Sequence, residues 1–499
     1  MKTLTISAFL SSLALCATIA TAQDITPNRV GPVSQYGQLM TGKNSQGQGR
    51  IYGSCEGVKD GAEVQVRGMS LYWSLMPQAL EFWSEEGIAT MVKDMKIQIV
   101  RAAMATGNED WKGEWNGIQL KGYASDPNNQ KQFMKTVVEA AIKNDIYVII
   151  DWHSHEAHKQ TDAAKNFFKE MAEAYGKYDN VIFEVYNEPQ QISWSDVKNY
   201  ANQVIEVIRQ YSDNLVLVGN PSWDQNPSDA IGNEVSDSKK NTAYTLHYYA
   251  NSHNWQGNYS WGGESEGTKG EKAINAGLSV FVSEWGTGTA DGGGTPDQGR
   301  NQSWQEYVNK HKLSWANWSA STINEGTAAF QGGSTKTSLQ YTTSGNLVKG
   351  YLSTNPETYT KCAANAGNNN GGNNNQNQGG NNNGGNNNQN QGGNNNQNQG
   401  GNNNQNQNGN NNQNQGGNNN NNTPIFVKAD LNFNVTFSDN ALHIAGNPLT
   451  VEIYSMKGDK LMAVENVSGT LSLASFPAGM YFARIHGNAT NMVRAIQIK

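Results

Sequence analysis

Short apolar runs alternate with helix-patterned stretches between residues 51 and 362, and this alternation constrains the fold more than any other feature. The runs are Val64–Leu71, Ile97–Met104, Ile146–Trp152, Val181–Tyr186, Leu215–Gly219, Ala243–Tyr249, Leu278–Trp285 and Leu313–Trp318. Stretches such as Asn129–Lys143, Ala163–Tyr175 and Ser195–Tyr211 carry apolar residues at helical spacing. Apolar strands alternating with helices are typical of a parallel sheet covered by helices. Eight such units predict an α/β fold, a (β/α)8 TIM barrel over residues 51–364.

The first 22 residues have the pattern of an export signal. Lys2 gives a positive start, an apolar stretch follows, and Ala20-Thr21-Ala22 forms a small-residue cleavage site, which predicts a signal peptide over residues 1–22. An alternative is a lipoprotein signal at Cys16, although the large Leu15 before it fits poorly. No later run is apolar enough to span a bilayer. We expect a secreted protein, extracellular or attached to the cell surface, with no membrane span.

Three segments flank the predicted barrel. Residues 23–50 are polar and rich in Gly and Gln, which indicates an N-terminal leader. Residues 365–422 are almost purely Asn, Gln and Gly and cannot bury apolar area, so they predict a disordered linker. An aggregation-prone tract is the alternative, against which the glycines argue. Residues 423–499 contain short alternating runs between turn residues, which predict a small all-β sandwich.

Cysteine positions and net charge add two further constraints. Once the signal segment is removed, Cys55 and Cys362 remain, near the two ends of the predicted barrel. An exported chain meets an oxidising environment, so a disulfide that closes this domain is one expectation and two separate buried thiols are the other. The net charge of −7 is spread without a basic block, which argues against nucleic acid as a partner.

Polar residues follow most of the predicted barrel strands at their C-terminal ends. The fourth run ends in Asn187-Glu188-Pro189 and the seventh in Glu284-Trp285-Gly286. The C-terminal face of such a barrel is where ligands bind. Two carboxyl groups on two strand ends are what acid/base and nucleophilic sugar chemistry requires.

Together these motifs resemble the family five glycoside hydrolases, in particular the bacterial endo-β-1,4-glucanase branch, from about Val64 to Phe330. The motifs are Arg101-Ala102-Ala103-Met104, Asp151-Trp152-His153, Asn187-Glu188-Pro189, His247-Tyr248-Tyr249, Glu284-Trp285-Gly286 and Trp315-Ala316-Asn317-Trp318-Ser319. The resemblance implies a (β/α)8 barrel that hydrolyses internal β-1,4-glucosidic bonds of cellulose with retention. The implied partner is a β-glucan polysaccharide, and no cofactor or metal is implied.

The resemblance also assigns roles to individual residues. Glu188 would be the general acid/base and Glu284 the nucleophile, which fits the need of a retaining enzyme for two carboxyls about 5–5.5 Å apart in different protonation states. Arg101 would keep Glu284 ionised, and Tyr249 could donate a hydrogen bond to it. The implied sugar contacts are Asn187 at the 2-hydroxyl, His153 and His247 in the pocket wall, Trp318 as the floor, Trp73 as the non-reducing-side platform and Trp223 as the leaving-group-side platform.

Two positions depart from the family pattern. Ile323 stands where many members have a Lys, although Glu325 two residues later is kept, and Ala105 stands where some have a Tyr. Both changes affect expected sugar contacts and leave the preference among β-glucans open. Glu184 shares a strand face with Glu188, and we interpret it as a structural acid paired with a cation.

Other functions remain as alternatives. A related β-glycanase acting on mannan, xylan or mixed-linkage glucan would use the same two carboxyls. A non-catalytic carbohydrate-binding barrel should have lost Glu188 or Glu284, and both are present. The His153-x-His155 pair could also indicate a metal site, with His247 as a third ligand, but the strand ends offer too few further ligands.

The C-terminal segment resembles the secretion-sorting or cell-surface tails of some bacteria. Residues 451–458 and 477–483 carry this likeness. The alternative is a carbohydrate-binding module, but the segment has no Trp and only Tyr454 and Tyr481 as tyrosines. We therefore expect it to serve sorting or attachment, with secretion machinery or the cell surface as its partner.

Overall fold

The computed structural model describes residues 24–55, 62–107, 114–115, 118–260 and 262–363 of the first unit. In the second unit it describes residues 433–438, 440–455, 460–477, 479–487 and 490–498. The predicted signal peptide and the predicted linker lie outside these residues.

The elements of the first unit follow the predicted alternation. Its strands are β1 (Leu39–Lys43), β2 (Gly49–Gly53), β3 (Arg67–Leu71), β4 (Ile99–Ala105), β5 (Glu114–Trp115), β6 (Ile118–Gln119), β7 (Tyr147–His153), β8 (Val181–Glu184), β9 (Val216–Val218), β10 (Thr242–Thr245), β11 (Tyr248–Tyr249), β12 (Val280–Gly286) and β13 (Trp315–Ala320). Its helices are α1 (Pro32–Tyr36), α2 (Pro77–Leu80), α3 (Glu85–Met95), α4 (Pro127–Lys143), α5 (Thr161–Tyr175), α6 (Trp194–Ile208), α7 (Pro221–Asp224), α8 (Glu266–Asn275), α9 (Gln298–Lys310) and α10 (Thr343–Leu352), with 3-10 turns at Ala157–Lys159 and Pro227–Ala230.

The parallel strands close into a barrel. They run in the order β3-β4-β7-β8-β9-β10-β12-β13, and the circle closes because β13 pairs with β3. The short strand β11 extends the sheet by pairing with the end of β12. Each predicted apolar run overlaps one of these strands, so the (β/α)8 prediction is confirmed. None of the described helices has the length and apolarity to cross a membrane.

Burial on both faces explains why the barrel strands are apolar along their length. Every residue of β4 is buried, because one face lines the barrel interior and the other packs against helices. The helices supply amphipathic stripes, such as Met134, Val137 and Ala141 on α4. Ser193 caps α6 by accepting a hydrogen bond from the N–H of Asp196, which starts the helix soon after the strand β8 has ended.

The segment predicted as a leader covers the N-terminal end of the barrel. Its strands β1 and β2 form an antiparallel hairpin. Leu39 and Ile51 pack in one buried cluster with Val66, Ile99 and Ile182, which lie at or near the starts of barrel strands. Apolar side chains within a polar segment therefore close the bottom of the barrel and leave the opposite end open for a site.

A disulfide lies at the same end. Cys55 and Cys362 are joined, with their Cα atoms 5.9 Å apart, which is ordinary disulfide geometry. The N–H of Cys362 also donates to the carbonyl of Ser34. The bond ties the two ends of the barrel unit together.

The second unit is a small antiparallel β domain. Its strands are β14 (Phe433–Ser438), β15 (Ala441–Ser455), β16 (Lys460–Ser472), β17 (Gly479–Gly487) and β18 (Thr490–Ile498). The long strand β15 pairs with β14 along its first half and with β17 along its second half, while β16 follows its other edge. Buried residues such as Leu442, Val451, Ile453 and Ile485 form its own core. The predicted small all-β domain is confirmed.

Candidate active site

The predicted site residues converge at the C-terminal end of the barrel. The carboxylates of Glu188, after β8, and Glu284, in β12, each place an oxygen within 4.8 Å of the other and of a ring nitrogen of His247. The parallel sheet accounts for this meeting, because all its strands end at the same rim.

Glu284 is held by two donors. Nη1 of Arg101 donates to its Oε2 at 2.7 Å, and the hydroxyl of Tyr249 donates to its Oε1 at 2.8 Å. The side chain of Glu284 is 5% exposed. Two donors, one of them a guanidinium, therefore fix the orientation of the Glu284 carboxylate.

Arg101 contacts acceptors on several strands and in the segment after β8. Besides Glu284, its guanidinium donates to Glu184 at 2.7 Å and to Asn187 Oδ1 at 2.6 Å, and it lies 2.9 Å from Asp151. Burial lowers the pKa of Arg101, but the three acids raise it well above its usual value. The structure thus places Glu184 in a buried ion pair, where a buried charge needs a partner.

Asn187 presents an unused donor. Its Oδ1 is taken by Arg101, and its Nδ2 is buried with no hydrogen-bond partner in the part of the chain that the structure describes. A buried amide N–H without a partner is costly. Its position beside both glutamates makes it available to a ligand hydroxyl.

His153 lines the site with an uncharged imidazole ring. Its Nδ1 lies 2.7 Å from Asp151 Oδ2, and its Nε2 accepts the indole N–H of Trp73 at 2.6 Å. Burial and the nearby Arg101 lower its pKa to about 3, while burial raises the pKa of Asp151 to about 7 despite Arg101. Both ring nitrogens of His153 thus have partners, Asp151 on one side and Trp73 on the other.

Glu188 is hydrogen-bonded to two histidines. Its Oε1 lies 2.9 Å from His247 Nδ1, and its Oε2 lies 3.3 Å from His155 Nε2. Burial raises the pKa of Glu188, but the hydrogen bonds to His155 and His247 lower it below its usual value. The pKa of His247 is raised to about 9, because Asp224 and Glu188 outweigh the effect of burial.

The hydrogen bonds around His247 fix one of its protons. Ser283 donates its hydroxyl proton to Glu184 at 2.8 Å, so the Ser283 oxygen must accept from His247 Nε2, 2.9 Å away. Nε2 therefore carries a hydrogen, and Nδ1 is the atom that can exchange a proton with Glu188. Glu188 and His247 hold one further proton between them.

Aromatic rings line the rim beside the glutamates. Trp318 stacks on the ring of His153 with the planes 11° apart, and Trp73 lies 5.9 Å from Trp318. Trp223 stands at the opposite rim and is 36% exposed. These flat surfaces can bind the apolar faces of sugar rings.

Glu325 contacts Tyr72. The hydroxyl of Tyr72 donates to its Oε1 at 2.9 Å, and Ile323 packs against the barrel core. Burial raises the pKa of Glu325 to about 7, although the hydrogen bond from Tyr72 lowers it.

Four residues at the site were not predicted from the sequence: Tyr72, His155 as a partner of Glu188, Asp224 and Ser283. Asp224 follows Trp223 in a turn where Ser222, Trp223 and Asp224 have φ of 63°, 57° and 59°. Three consecutive non-glycine residues in the left-handed region are strained, and such strain concentrates at functional sites. The position beside Trp223 was the only sequence signal for Asp224.

The barrel unit is similar to known proteins of one family. A family model described as cellulase (glycosyl hydrolase family 5) matches residues 58–324, a little over half of the chain. Endoglucanase Z of Dickeya dadantii is 41% identical over 293 residues, which cover 58% of this chain and 62% of that protein. This chain thus spans a little less than two thirds of that relative.

Solved structures are similar to the barrel unit, and a second family model matches the C-terminal unit. A structure from Cytophaga hutchinsonii is 35% identical, covers 65% of this chain and 96% of its own, and has a TM-score of 0.55. A variant of the Thermobifida fusca endoglucanase Cel5A catalytic domain, in complex with cellotetraose, is 26% identical, covers 65% and 100%, and has a TM-score of 0.52. A secretion system C-terminal sorting domain matches residues 429–499, which confirms the expected sorting tail and marks the protein as secreted or cell-surface.

Proposed function

The chain belongs to the cellulases of glycosyl hydrolase family 5, and we propose that it is a secreted endo-β-1,4-glucanase that cleaves internal bonds of cellulose with retention. The observation that carries the proposal is the spacing of Glu188 and Glu284, whose nearest oxygens lie within 4.8 Å. Retaining enzymes hold their two carboxyl groups about 5–5.5 Å apart, whereas inverting enzymes leave a wider gap for water.

In the first step Glu284 attacks the anomeric carbon and a glycosyl–enzyme ester forms. Arg101 and Tyr249 hold the Glu284 carboxylate in the orientation for attack. The glycosidic bond breaks as its oxygen takes a proton from Glu188, so the shorter glucan leaves as an alcohol.

The proton for the leaving group is the one that Glu188 shares with His247. In the resting site Glu188 is an anion and His247 is doubly protonated, since the pKa of Glu188 is lowered and that of His247 is raised. As charge develops on the departing oxygen, His247 Nδ1, 2.9 Å from Glu188, passes its proton to the Glu188 carboxylate, and Glu188 passes a proton to the departing oxygen. In the second step Glu188 accepts a proton from water, which attacks the ester and releases the β-anomer.

Asn187 and the rim tryptophans would bind the sugar. The Nδ2 of Asn187 lacks a partner among the described residues and can donate to the 2-hydroxyl, a contact that strengthens in the transition state. Trp318 and Trp73 offer stacking surfaces on one side of the glutamates and Trp223 on the other. The solved relative bound to cellotetraose supports a β-1,4-glucan ligand for the same fold.

Replacing the nucleophile tests the mechanism. Glu284→Ala should lose turnover by a factor of about 10⁴ or more, and azide should restore part of it with a product of inverted configuration. An exposed glutamate supplies the control, since Glu306→Ala should keep wild-type rates. Normal turnover by the Glu284 variant would contradict the assignment. Reducing-sugar release from cellulose, mannan, xylan and mixed-linkage glucan distinguishes the related glycanases.

A further inference from the structure

The left-handed turn at residues 222–224 is hydrogen-bonded both to the segment after Glu188 and to His247. The backbone N–H of Trp223 donates to the carbonyl of Pro189, and that of Ser222 donates to Gln190, both just after Glu188. The carbonyl of Asp224, at the end of the turn, accepts from the N–H of His247 at 2.9 Å. One turn therefore fixes the relative positions of both members of the proton-sharing pair.

The same turn buries a carboxylate against His247. Asp224 has no exposed surface, and its Oδ2 lies 3.3 Å from Nε2 of His247. Its Oδ1 accepts from the backbone N–H of Asn220 at 2.6 Å, whereas Oδ2 has no hydrogen-bond partner among the described residues.

The hydrogen bonds decide the protonation state of Asp224. Burial raises its pKa well above the usual value, against the influence of His247. A proton on Oδ1 would meet the N–H of Asn220, and a proton on Oδ2 would meet the Nε2–H of His247, which Ser283 requires. Oδ1 accepts from Asn220, and Oδ2 lies 3.3 Å from the His247 ring, whose positive charge favours the ionised carboxylate against the effect of burial.

We propose that Asp224 is a positioning residue that keeps His247 doubly protonated, with its Nδ1–H directed at Glu188. The inference rests on the proposed role of Glu188. The acids that face His247 are Asp151 from β7, Glu184 and Glu188 from β8 and the segment after it, Glu284 from β12, and Asp224 from the turn. Asp151, Glu184 and Glu284 are already paired with Arg101, and Glu188 is the proton acceptor. Asp224 is thus the acid whose charge serves His247.

The consequence lies on the alkaline side of the pH profile. An anion 3.3 Å from the ring raises the proton affinity of the pair, so the shared proton stays in place to higher pH. Asp224→Asn removes the charge, keeps an acceptor for Asn220, and tolerates the left-handed backbone. We expect the alkaline limb of kcat/KM for cellopentaose to move to lower pH by about one unit or more.

A second substrate separates proton supply from structural damage. A dinitrophenyl cellobioside has a leaving group that needs no proton, so kcat/KM for it should change by less than about twofold in Asp224→Asn. Asp229→Asn, an exposed acid in the same loop, is the matched control and should match the wild type on both substrates. Equal losses on both substrates, or an unmoved alkaline limb for cellopentaose, would overturn the inference.

Titration of the wild-type protein provides a reading that does not depend on folding of the variant. The imidazole NMR signal of His247, assigned by its absence in His247→Gln, should remain that of the protonated ring through neutral pH. A neutral ring there would also overturn the inference. The proposed function fails separately, if Glu188→Ala hydrolyses cellopentaose at the wild-type rate.

Discussion

The hydroxyl of Tyr249 lies 2.8 Å from Oε1 of Glu284 and donates a hydrogen bond to it. Tyr249 lies in β11, which pairs with the end of β12, so the sheet itself sets this distance. The contact joins a phenol to a carboxylate that is engaged on its other oxygen by Arg101. The two donors together hold the Glu284 carboxylate in one orientation, which its proposed role as nucleophile requires.

Tyr249→Phe tests this contact. A hydrogen bond to a charged group contributes about 1.5–3 kcal/mol, so kcat/KM on cellopentaose should fall by about tenfold to a hundredfold. The neighbouring tyrosine offers a control, because the buried hydroxyl of Tyr248 has no partner among the described residues and its ring stacks on Trp304. Tyr248→Phe should leave kcat/KM within about twofold. Equal effects of the two substitutions would show that only packing was disturbed.

Glu325 should make the barrel less stable as pH rises. Its pKa is about 7 in the folded protein against an ordinary 4.5, so the unfolded chain releases this proton first. The free energy of unfolding therefore falls between pH 4.5 and about 7, and Glu325 destabilises the protein above that range. Glu325→Gln should raise the unfolding free energy by about 2 kcal/mol above pH 7 and have little effect below pH 4.5.

Denaturation at two pH values measures this difference. The exposed Glu306→Gln removes the same charge at the surface and should change stability by less than about 0.5 kcal/mol at either pH. If Glu325→Gln changed the free energy of unfolding equally at both pH values, the substitution would act through packing and not through the charge.

The sequence could predict the parts of the site that lie on regular strands. Glu188 and Glu284 end or follow apolar runs, and the shared rim of a parallel barrel brings such ends together, so their proximity followed from the pattern. The same pattern predicted the barrel and the three helices α4, α5 and α6. The roles assigned to the individual site residues remain predictions that the variants above test.

Asp224 and Ser283 could not be predicted in the same way. Asp224 lies in a left-handed turn of non-glycine residues, and the types of these residues do not predict such a turn. Ser283 is a small polar residue inside a buried strand, and its role is visible only from its contacts with Glu184 and His247. The polar composition of residues 23–50 likewise concealed Val33 and Leu39, which pack in the cluster that closes the bottom of the barrel.

The disulfide between Cys55 and Cys362 should stabilise the barrel. It closes a loop of 307 residues, and removal of a native disulfide typically costs about 2–5 kcal/mol. The double variant Cys55→Ser/Cys362→Ser should lose about that much unfolding free energy, and dithiothreitol should lower the Tm of the wild type to the same value. A free-thiol assay on the unfolded, unreduced mature protein should find neither cysteine reactive. Two reactive thiols would contradict the bond.

The two compact units should function apart, because their cores use separate residues. Barrel residues such as Val148 and Val282 form one core, and Val451 and Ile485 belong to another. Removal of residues 365–499 should leave kcat/KM on carboxymethylcellulose within about twofold and the Tm of the barrel nearly unchanged. In the native host the same truncation should stop export, because it removes the sorting domain. An aggregated or inactive truncated protein would show that the barrel needs the second unit to fold.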